Sequence, residues 1–249
     1  MAKYIKRFET VTAQTQYVQS MNYIEPYISV VNDTDDTGDN VQYNQYNINR
    51  EQYTMCNYIR ATGSQYINTN IALYPTSLAE MKFRMNTFGA YWDSLFGMRK
   101  TSGGNVRFTA RFSDSANSKL GLQYSNTNSA AQSAVDINVY KTNTCKNWTI
   151  IKFSHIVEVN GTVYKTYTAP ASNAAAYGKP LFLCAVNNGG SPIDYCRCDI
   201  AYFKLYNVNR ECVWHGVPVK RNSDSVYGLL NIINNVFYPS NSSTQFQGG

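Results

Sequence analysis

The chain has 249 residues, of which 43% are hydrophobic and 15% are charged, and its formal net charge is +6. This apolar share is enough for a folded core, so disorder along the whole chain is excluded. The 21 Tyr residues and the low charge are typical of paired strands rather than helices, and six Cys residues are too few for a disulfide scaffold at this length.

The first 50 residues differ from the rest of the chain. Their apolar side chains are scattered among polar ones, and an acidic turn at residues 32–40 marks a hinge. A segment with so few apolar residues does not hold a core alone. We therefore predict that residues 1–50 dock onto the following domain or onto a partner, and that residues 51–249 form a separate domain.

Apolar and polar residues alternate with a period of two from residue 58 onward. In the stretch 78–85, Ala79, Met81, Phe83 and Met85 alternate with polar residues, and the stretch 106–112 repeats the pattern. This alternation predicts antiparallel strands that each place one face on a core.

Two further stretches refine the predicted sheets. Asn160-Gly161 predicts a hairpin between the stretches 148–157 and 163–168, because this dipeptide readily takes the positive backbone angles of a type I′ turn. The stretch 181–186 is apolar throughout, so we expect it in the middle of a sheet. Roughly twelve strands with short turns predict an all-β, antiparallel, two-sheet jelly-roll sandwich.

Several landmarks, taken in order, resemble the concanavalin A-like (laminin-G-like) jelly-roll domains of gut phage and gut bacterial proteins. They are the stretches 58–70 (YIRATGSQYINTN), 95–99 (LFGMR), 201–206 (AYFKLY), 217–219 (VPV), 226–230 (VYGLL) and 237–239 (FYP). The resemblance covers residues 58–247 and implies the same sandwich class.

The N-terminal segment resembles the short leaders of virion-decorating and fibre proteins of tailed phages that infect gut anaerobes, including crAss-like phages. The matching stretches are 5–10 (IKRFET), 25–31 (EPYISVV) and 41–44 (VQYN). The resemblance implies synthesis in the host cytoplasm, attachment to capsid proteins and display of the jelly roll on the virion surface. We expect the leader to dock by adding a strand to an exposed sheet edge of its partner. The side chains expected to bury there are those of Phe8, Tyr27, Ile28, Val30 and Val31.

Candidate sugar contacts are few. Trp92 is equally consistent with a core position and with a sugar platform, because an exposed aromatic ring binds the apolar face of a pyranose. Asn187 and Asn188 offer the amide groups that glycan sites use, although a turn between central strands also explains them. For Trp148, at the start of an apolar stretch, we expect a core position.

No catalytic pattern is present. Glycosidases of this fold class place two carboxylates about 5 Å apart, whereas Glu80, Glu158 and Glu211 each lack an acidic neighbour on the same strand face. His155 and His215 have no nucleophile in a recognisable elbow. We therefore expect that the protein is not an enzyme.

We also expect no metal and no cofactor. The motif Cys196-x-Cys198 with His215 lacks a second ligand pair at zinc-finger spacing. The acidic turn at residues 32–40 lacks the closing Glu of a calcium loop, so solvated charge is its simpler interpretation.

The 22 Lys and Arg residues are scattered rather than clustered, so we expect no nucleic-acid partner. No stretch approaches the roughly 20 apolar residues that span a membrane, and the basic start lacks the apolar core of a secretory signal.

We predict a structural virion protein, a phage head fibre or capsid decoration subunit, whose jelly roll adheres to glycans through many weak contacts. A homo-oligomer is expected, a trimer rather than a dimer. The alternative is a free-standing carbohydrate-binding module that recognises host-surface or mucus glycans.

Overall fold

The computed structural model describes residues 46–87, 92–101, 106–112, 119–125, 135–138, 144–167 and 176–249. Within these ranges the chain forms nineteen short β-strands, β1 to β19 along the chain, and one 3₁₀ turn at Thr144–Lys146. The strands lie in two sheets of 11 and 8 strands. The predicted all-β, two-sheet jelly-roll sandwich is therefore confirmed.

The 11-stranded sheet, called the large sheet, contains β1 (Tyr53–Met55), β2 (Ile59–Arg60), β4 (Leu78–Met85), β9 (Thr149–Phe153), β10 (Ile156–Val159), β11 (Thr162–Thr166), β15 (Cys198–Tyr206), β16 (Cys212–Arg221), β17 (Tyr227–Asn231), β18 (Val236–Tyr238) and β19 (Gln247–Gly248). Its main order is β11-β10-β9-β4-β15-β16-β17-β18. At the margins, β1 pairs with β16, and β2 pairs with β15 and β19.

The 8-stranded sheet, called the small sheet, contains β3 (Ile67–Ala72), β5 (Ser94–Arg99), β6 (Arg107–Phe112), β7 (Lys119–Ser125), β8 (Val135–Asn138), β12 (Pro180–Leu183), β13 (Val186–Asn188) and β14 (Ser191–Ile193). Its main order is β14-β13-β5-β6-β7-β8, and β12 pairs with both β3 and β5. Among the described pairs, β5 with β13 is parallel and the others are antiparallel.

Aromatic side chains dominate the core between the sheets. Phe108 of the small sheet and Phe153 of the large sheet are fully buried, with ring centroids 4.4 Å apart. Phe96 contacts both of these rings and also Phe203 of β15. Because burying one such ring stabilises the fold by roughly 1.5–3 kcal/mol, this cluster fixes the two sheets face to face.

The predicted alternation on β4 is confirmed. Met81 and Phe83 are fully buried in the core, while Lys82 and Arg84 between them are half-buried on the other face of the large sheet. One face of β4 thus contributes to the core, and the other presents cations outside it.

The predicted Asn160-Gly161 hairpin is confirmed. Both residues have positive φ, 49° and 81°, and Val159 pairs with Thr162 on either side of the turn. The stretch 148–157, predicted as one arm, is instead two strands, β9 and β10. The reason is a tight turn at Ser154, whose Oγ accepts a hydrogen bond from the Ile156 backbone N–H at 3.1 Å.

The stretch 181–186 is fully or almost fully buried and lies in the middle of the small sheet, as predicted. It is not one strand, however. The chain turns at Cys184, whose φ is 59°, so that β12 runs antiparallel and β13 parallel to β5.

Residues 46–55 pack on the outer face of the large sheet. Ile48 is buried against Val217, Val219 and Leu230 in a second hydrophobic cluster, and β1 pairs with β16. The Asn222 side chain donates hydrogen bonds to two backbone carbonyls of this segment, at residues 50 and 51. The predicted boundary between residues 50 and 51 lies inside this packed segment.

The remaining calls on the leader lie outside the described residues. They are the hinge at residues 32–40 and the docking residues Phe8, Tyr27, Ile28, Val30 and Val31. In the described ranges, no helix has the length and hydropathy needed to cross a bilayer.

Candidate functional site

The outer face of the large sheet carries a set of charged and aromatic side chains. On β4, Lys82 and Arg84 point outward because their neighbours face the core. On the adjacent β15, Asp199 pairs with Arg84 and Tyr202 with Lys82. A β-bulge between residues 200 and 202 inserts one extra residue, so that both Asp199 and Tyr202 face outward while the core pattern is kept.

A groove of about 550 Å³ opens on this face, a volume within the range of small-molecule sites. Strands of the large sheet form its floor, and the segment around residues 46–58 borders it. The side chains that define its character are Tyr58, Lys82, Arg84, Trp148 and Tyr202. We call this feature the groove.

Cations stack on aromatic rings inside the groove. The guanidinium carbon of Arg84 lies 4.7 Å from the Trp148 ring centroid and 5.0 Å from that of Tyr58. Arg60 lies 5.2 Å from the Tyr58 ring, and Lys82 Nζ lies 5.9 Å from the Trp148 ring. These distances are those of cation–π contacts, so the rings and the cations hold each other in place.

Asp199 anchors the two arginines. Its carboxylate is fully buried and accepts hydrogen bonds from Arg60 at 2.7 and 3.0 Å, from Arg84 at 2.8 Å and from Asn86 at 2.7 Å. Burial raises the pKa of Asp199, but the hydrogen bonds from Arg60, Asn86 and Arg84 outweigh it, and the pKa lies below its ordinary value. Asp199 therefore stays ionised and orients both guanidinium groups.

The groove is electropositive. Asp199 offsets one of the two arginine charges, and within the described part of the chain Lys82 has no ion-pair partner. The floor thus presents a positive charge beside two aromatic rings. A carboxylate on a ligand matches this charge, and the apolar face of a sugar ring matches the aromatic surface.

Tyr202 lines one side of the groove and contacts Glu80 and His215. The Tyr202 hydroxyl donates a hydrogen bond of 2.8 Å to Glu80, and the His215 ring packs edge-on against Tyr46 and Tyr202. Burial and, to a smaller extent, the positive charge of the nearby Lys204 lower the pKa of His215 to about 3. His215 is therefore neutral at physiological pH.

Trp148 does not occupy the core, and the expectation for this residue is wrong. It lies just before β9, is only half-buried and lines the groove, because the strand that carries the core residues begins at Thr149. Trp214, in contrast, is fully buried, and its ring packs against Phe203 and Tyr238.

The three predicted glycan residues lie on the small sheet, away from the groove. Trp92 lies two residues before the start of β5, and the guanidinium carbon of Arg111 lies 3.7 Å from its ring centroid. The Asn187 side chain is 1% exposed and holds a turn, since it donates to the Pro180 carbonyl and accepts from the Gly190 N–H. Asn188 is half-buried, in register with Arg99. A glycan contact at Trp92 or Asn188 stays a prediction.

The acidic residues weighed for catalysis all have protein partners. Glu80 accepts from Tyr202, Glu158 lies 3.3 Å from Lys152, and Glu211 accepts from Asn207 at 2.7 Å. Glu80 and Glu158 are in register with Lys152 of β9, on either side of it on the outer face of the large sheet, whereas Glu211 lies apart from them just before β16. For His155, between β9 and β10, burial lowers the pKa.

The cysteines of the Cys196-x-Cys198 motif are fully buried in the core, on the face opposite to His215. The Cys198 sulfur lies 4.0 Å from that of Cys184, and the Cys196 sulfur lies 3.9 Å from that of Met85. Burial raises the pKa of the Cys196 thiol well above its ordinary value. Across the ranges that the structure describes, no three His, Cys, Asp or Glu side chains come together in a metal-binding group.

Comparison with known proteins gives only distant likenesses. No protein-family model and no curated protein matches the chain. Among solved structures, it is similar to the Ruminococcus gnavus IT-sialidase CBM40, with 11% identity, a TM-score of 0.43, and coverage of 59% of this chain and 88% of that chain. It is also similar to the K499G mutant of NanB sialidase from Streptococcus pneumoniae, with 15% identity, a TM-score of 0.36, and coverage of 61% of this chain but 26% of that chain. Such low scores carry no functional argument.

Proposed function

We propose that the sandwich is a non-catalytic carbohydrate-binding module that holds an acidic saccharide in the groove. The observation that carries this proposal is the contact of Arg84 with both the Trp148 and the Tyr58 rings, with Lys82 over the Trp148 ring. Aromatic rings bind the apolar faces of sugars, and guanidinium or ammonium groups bind carboxylates. The groove offers both within one volume of about 550 Å³.

Each residue has a separate role in this proposal. Trp148 provides the partly exposed platform for a sugar ring, and Lys82 supplies a cation that described side chains do not neutralise. Asp199 orients Arg84 before any ligand arrives. A site that is preorganised in this way loses little side-chain entropy on binding.

The proposal of a binding rather than a catalytic role is supported by the two carboxylates nearest the groove. Asp199 accepts four hydrogen bonds and has a lowered pKa, so it is a poor general acid. Glu80 is 8% exposed and accepts the Tyr202 hydroxyl. Neither is arranged to donate a proton to a glycosidic oxygen.

Titration calorimetry with oligogalacturonates and with their carboxyl-reduced counterparts tests the proposal. We expect wild-type protein to bind the acidic series more tightly, and Trp148→Ala to weaken binding about tenfold or more. Tyr164→Ala is the matched control, because Tyr164 is 50% exposed on β11 and does not line the groove. The proposal fails if an array of acidic glycans shows no binding, or if Trp148→Ala and Tyr164→Ala bind equally well.

We further propose that this module is displayed on a phage capsid as a homotrimer attached through residues 1–50. One support is the resemblance of that segment to phage leaders. The other is that residues 46–55 pack on the large sheet, which fixes the place where such a leader joins the sandwich. Replacing Phe8, Tyr27, Ile28, Val30 and Val31 with Ser in the full chain should abolish co-sedimentation with capsids. Retained attachment, or a monomer in analytical ultracentrifugation, would overturn the respective part.

A further inference from the structure

The charged side chains of the groove lining are positive. Among the described residues that line the groove, Lys82 and Arg84 carry the charge, and no carboxylate accompanies them. Asp199 offsets part of the charge of Arg84, but Lys82 forms no ion pair with any described residue. Because Lys82 is half-buried, water screens its charge less than that of a fully exposed side chain. The groove therefore favours a ligand or chain segment that carries carboxylates.

A further cation borders the groove on β16, two strands away from Lys82 on β4. This cation, Lys220, is in register with Thr54 of β1 and lies close to Cys56, which lines the groove. Burial raises the pKa of Cys56, and the positive charge of Lys220 opposes this rise. Positive charge is thus present at separate points along the groove. Such an arrangement matches several spaced carboxylates better than a single one.

The described chain starts at the groove itself. Tyr46 lines the groove, and its ring packs edge-on against His215 with the centroids 5.6 Å apart. Two residues later, Ile48 is buried against Val217 and Leu230. These contacts fix Tyr46 on the outer face of the large sheet. Residues 1–45 therefore join the sandwich at the border of an electropositive groove.

A group of carboxylates lies a short distance before Tyr46 along the chain, outside the described residues. Its members are Asp33, Asp35, Asp36 and Asp39. Asp39 precedes Tyr46 by seven residues, and the stretch 40–45 (NVQYNQ) between them is uncharged. Since an extended chain covers at most about 3.6 Å per residue, seven residues reach roughly 25 Å. This reach exceeds the extent of a groove of about 550 Å³.

From the charge of the groove and the position of Tyr46, we infer that the acidic stretch 33–39 of the same chain docks in the groove. Its carboxylates bind Lys82 and Lys220, and the uncharged stretch 40–45 connects them to Tyr46. The acidic stretch thus brings to the groove the same chemical group that an acidic saccharide brings. The docking stands apart from any saccharide, whereas its consequence, competition with the saccharide for the groove, rests on the proposed function.

The short connection makes a weak contact sufficient. A segment joined to its site by a short flexible linker has an effective concentration on the order of 1 mM there. A dissociation constant of a few tenths of a millimolar, roughly, is then enough to fill most of the grooves. The apparent affinity of a competing ligand falls in proportion to the fraction of empty grooves. We expect the acidic stretch to weaken saccharide binding about threefold or more.

Zero-length crosslinking of the full chain tests the docking directly. A carbodiimide activates an Asp carboxyl group, a Lys amine attacks it, an amide bond forms and the carbodiimide leaves as its urea. In dilute salt, mass spectrometry should find peptides that join Lys82 or Lys220 to the stretch 33–39. About 1 M sodium chloride should reduce this product, because salt screens the contact. Lys100, exposed just after β5 on the small sheet, is the reference and should not join the stretch.

Matched substitutions in the leader test the competition. Changing all four aspartates of the stretch 33–39 to Asn should raise the affinity for oligogalacturonates about threefold or more. The control variant combines Glu9→Gln and Glu25→Gln, which remove negative charge outside the stretch, and it should bind as the wild type does. Crosslinking a mixture of nitrogen-15-labelled and unlabelled protein shows whether each crosslink lies within one chain or between two.

The docking is overturned if the stretch joins Lys100 as often as Lys82 and Lys220. It is also overturned if the crosslinks join labelled to unlabelled chains, because the occupant is then a second copy. Equal oligogalacturonate affinities of the wild type and the Asp→Asn variant would overturn the competition. If oligogalacturonates bind to none of these proteins, the proposed function fails, and the crosslinks to Lys82 and Lys220 still decide the docking.

Discussion

Asp199→Asn is the substitution that tests the architecture of the groove most directly. The side chain keeps its shape but loses its charge, so Arg60 and Arg84 lose the carboxylate that both of them bind. An Asn amide nitrogen is also a donor where three donors now converge. We expect both a loss of stability and a loss of ligand binding, because the arginines then leave their positions on the Trp148 and Tyr58 rings.

The size of the stability loss follows from burial. Removing one partner of a fully buried ion pair costs roughly 3–5 kcal/mol. Asp199 is fully buried, but the Arg60 and Arg84 side chains are 35% and 33% exposed, so water compensates part of their charge. We therefore expect the free energy of unfolding to fall by about 2–3 kcal/mol.

Urea denaturation followed by tryptophan fluorescence measures this change, provided that the slope with urea concentration stays constant. The matched control is Asp224→Asn, which removes an exposed pair with Arg221 and should leave stability within error. The expectation would be refuted by equal, negligible effects of both substitutions.

The pH dependence of stability offers a second check. Because the folded-state pKa of Asp199 is lowered, its contribution is present above the unfolded pKa near 3.9 and is lost as pH falls through the folded pKa. Asp199→Asn should not show this acid loss.

Two further predictions concern stability. His215 has a folded-state pKa of about 3 against roughly 6.5 when unfolded, so the unfolded chain binds the additional proton. The free energy of unfolding should therefore fall by up to about 1.4 kcal/mol per pH unit between pH 6.5 and 3. In acid-denaturation curves, His215→Gln should flatten that slope. An unchanged slope would contradict the lowered pKa of His215. Gly228→Ala should cost about 1–3 kcal/mol in urea denaturation, because the added methyl group meets the Tyr238 carbonyl oxygen and the Phe237 ring; an unaffected midpoint would show that β18 moves aside freely.

Local signals in the sequence predicted much of the fold. Period-two alternation placed Met81 and Phe83 in the core, and Asn160-Gly161 located a hairpin turn. The errors arose where side chains or single residues interrupt a strand, as at Ser154 and Cys184. An apolar stretch does not disclose such a break, because a buried turn and a buried strand have the same composition.

The groove was missed because its parts come from distant positions along the chain. Alternation on β4 places Lys82 and Arg84 outward, but long-range pairing sets the strand order that brings Trp148, just before β9, and Tyr58, just before β2, beside them. One local signal was present: Asp199 is the sole carboxylate in the stretch 196–203, whose other residues are two cysteines, Arg197 and four apolar or aromatic residues. A charge in such a stretch requires a partner, and the outward-facing arginines of β4 are suitable ones.

The bulge on β15 shows why this site does not follow from alternation alone. Asp199 and Tyr202 are three residues apart, so in a regular strand they would face opposite sides of the sheet. The extra residue, Ala201, lets both face the groove while Ile200 and Phe203 both face the core. One strand thereby supplies Asp199, which anchors the arginines, Tyr202, which lines the groove, and two core residues. A one-residue insertion in the pairing of β15 with β4 thus lets one strand pack core residues against the small sheet and also place Asp199 and Tyr202 together on the outer face.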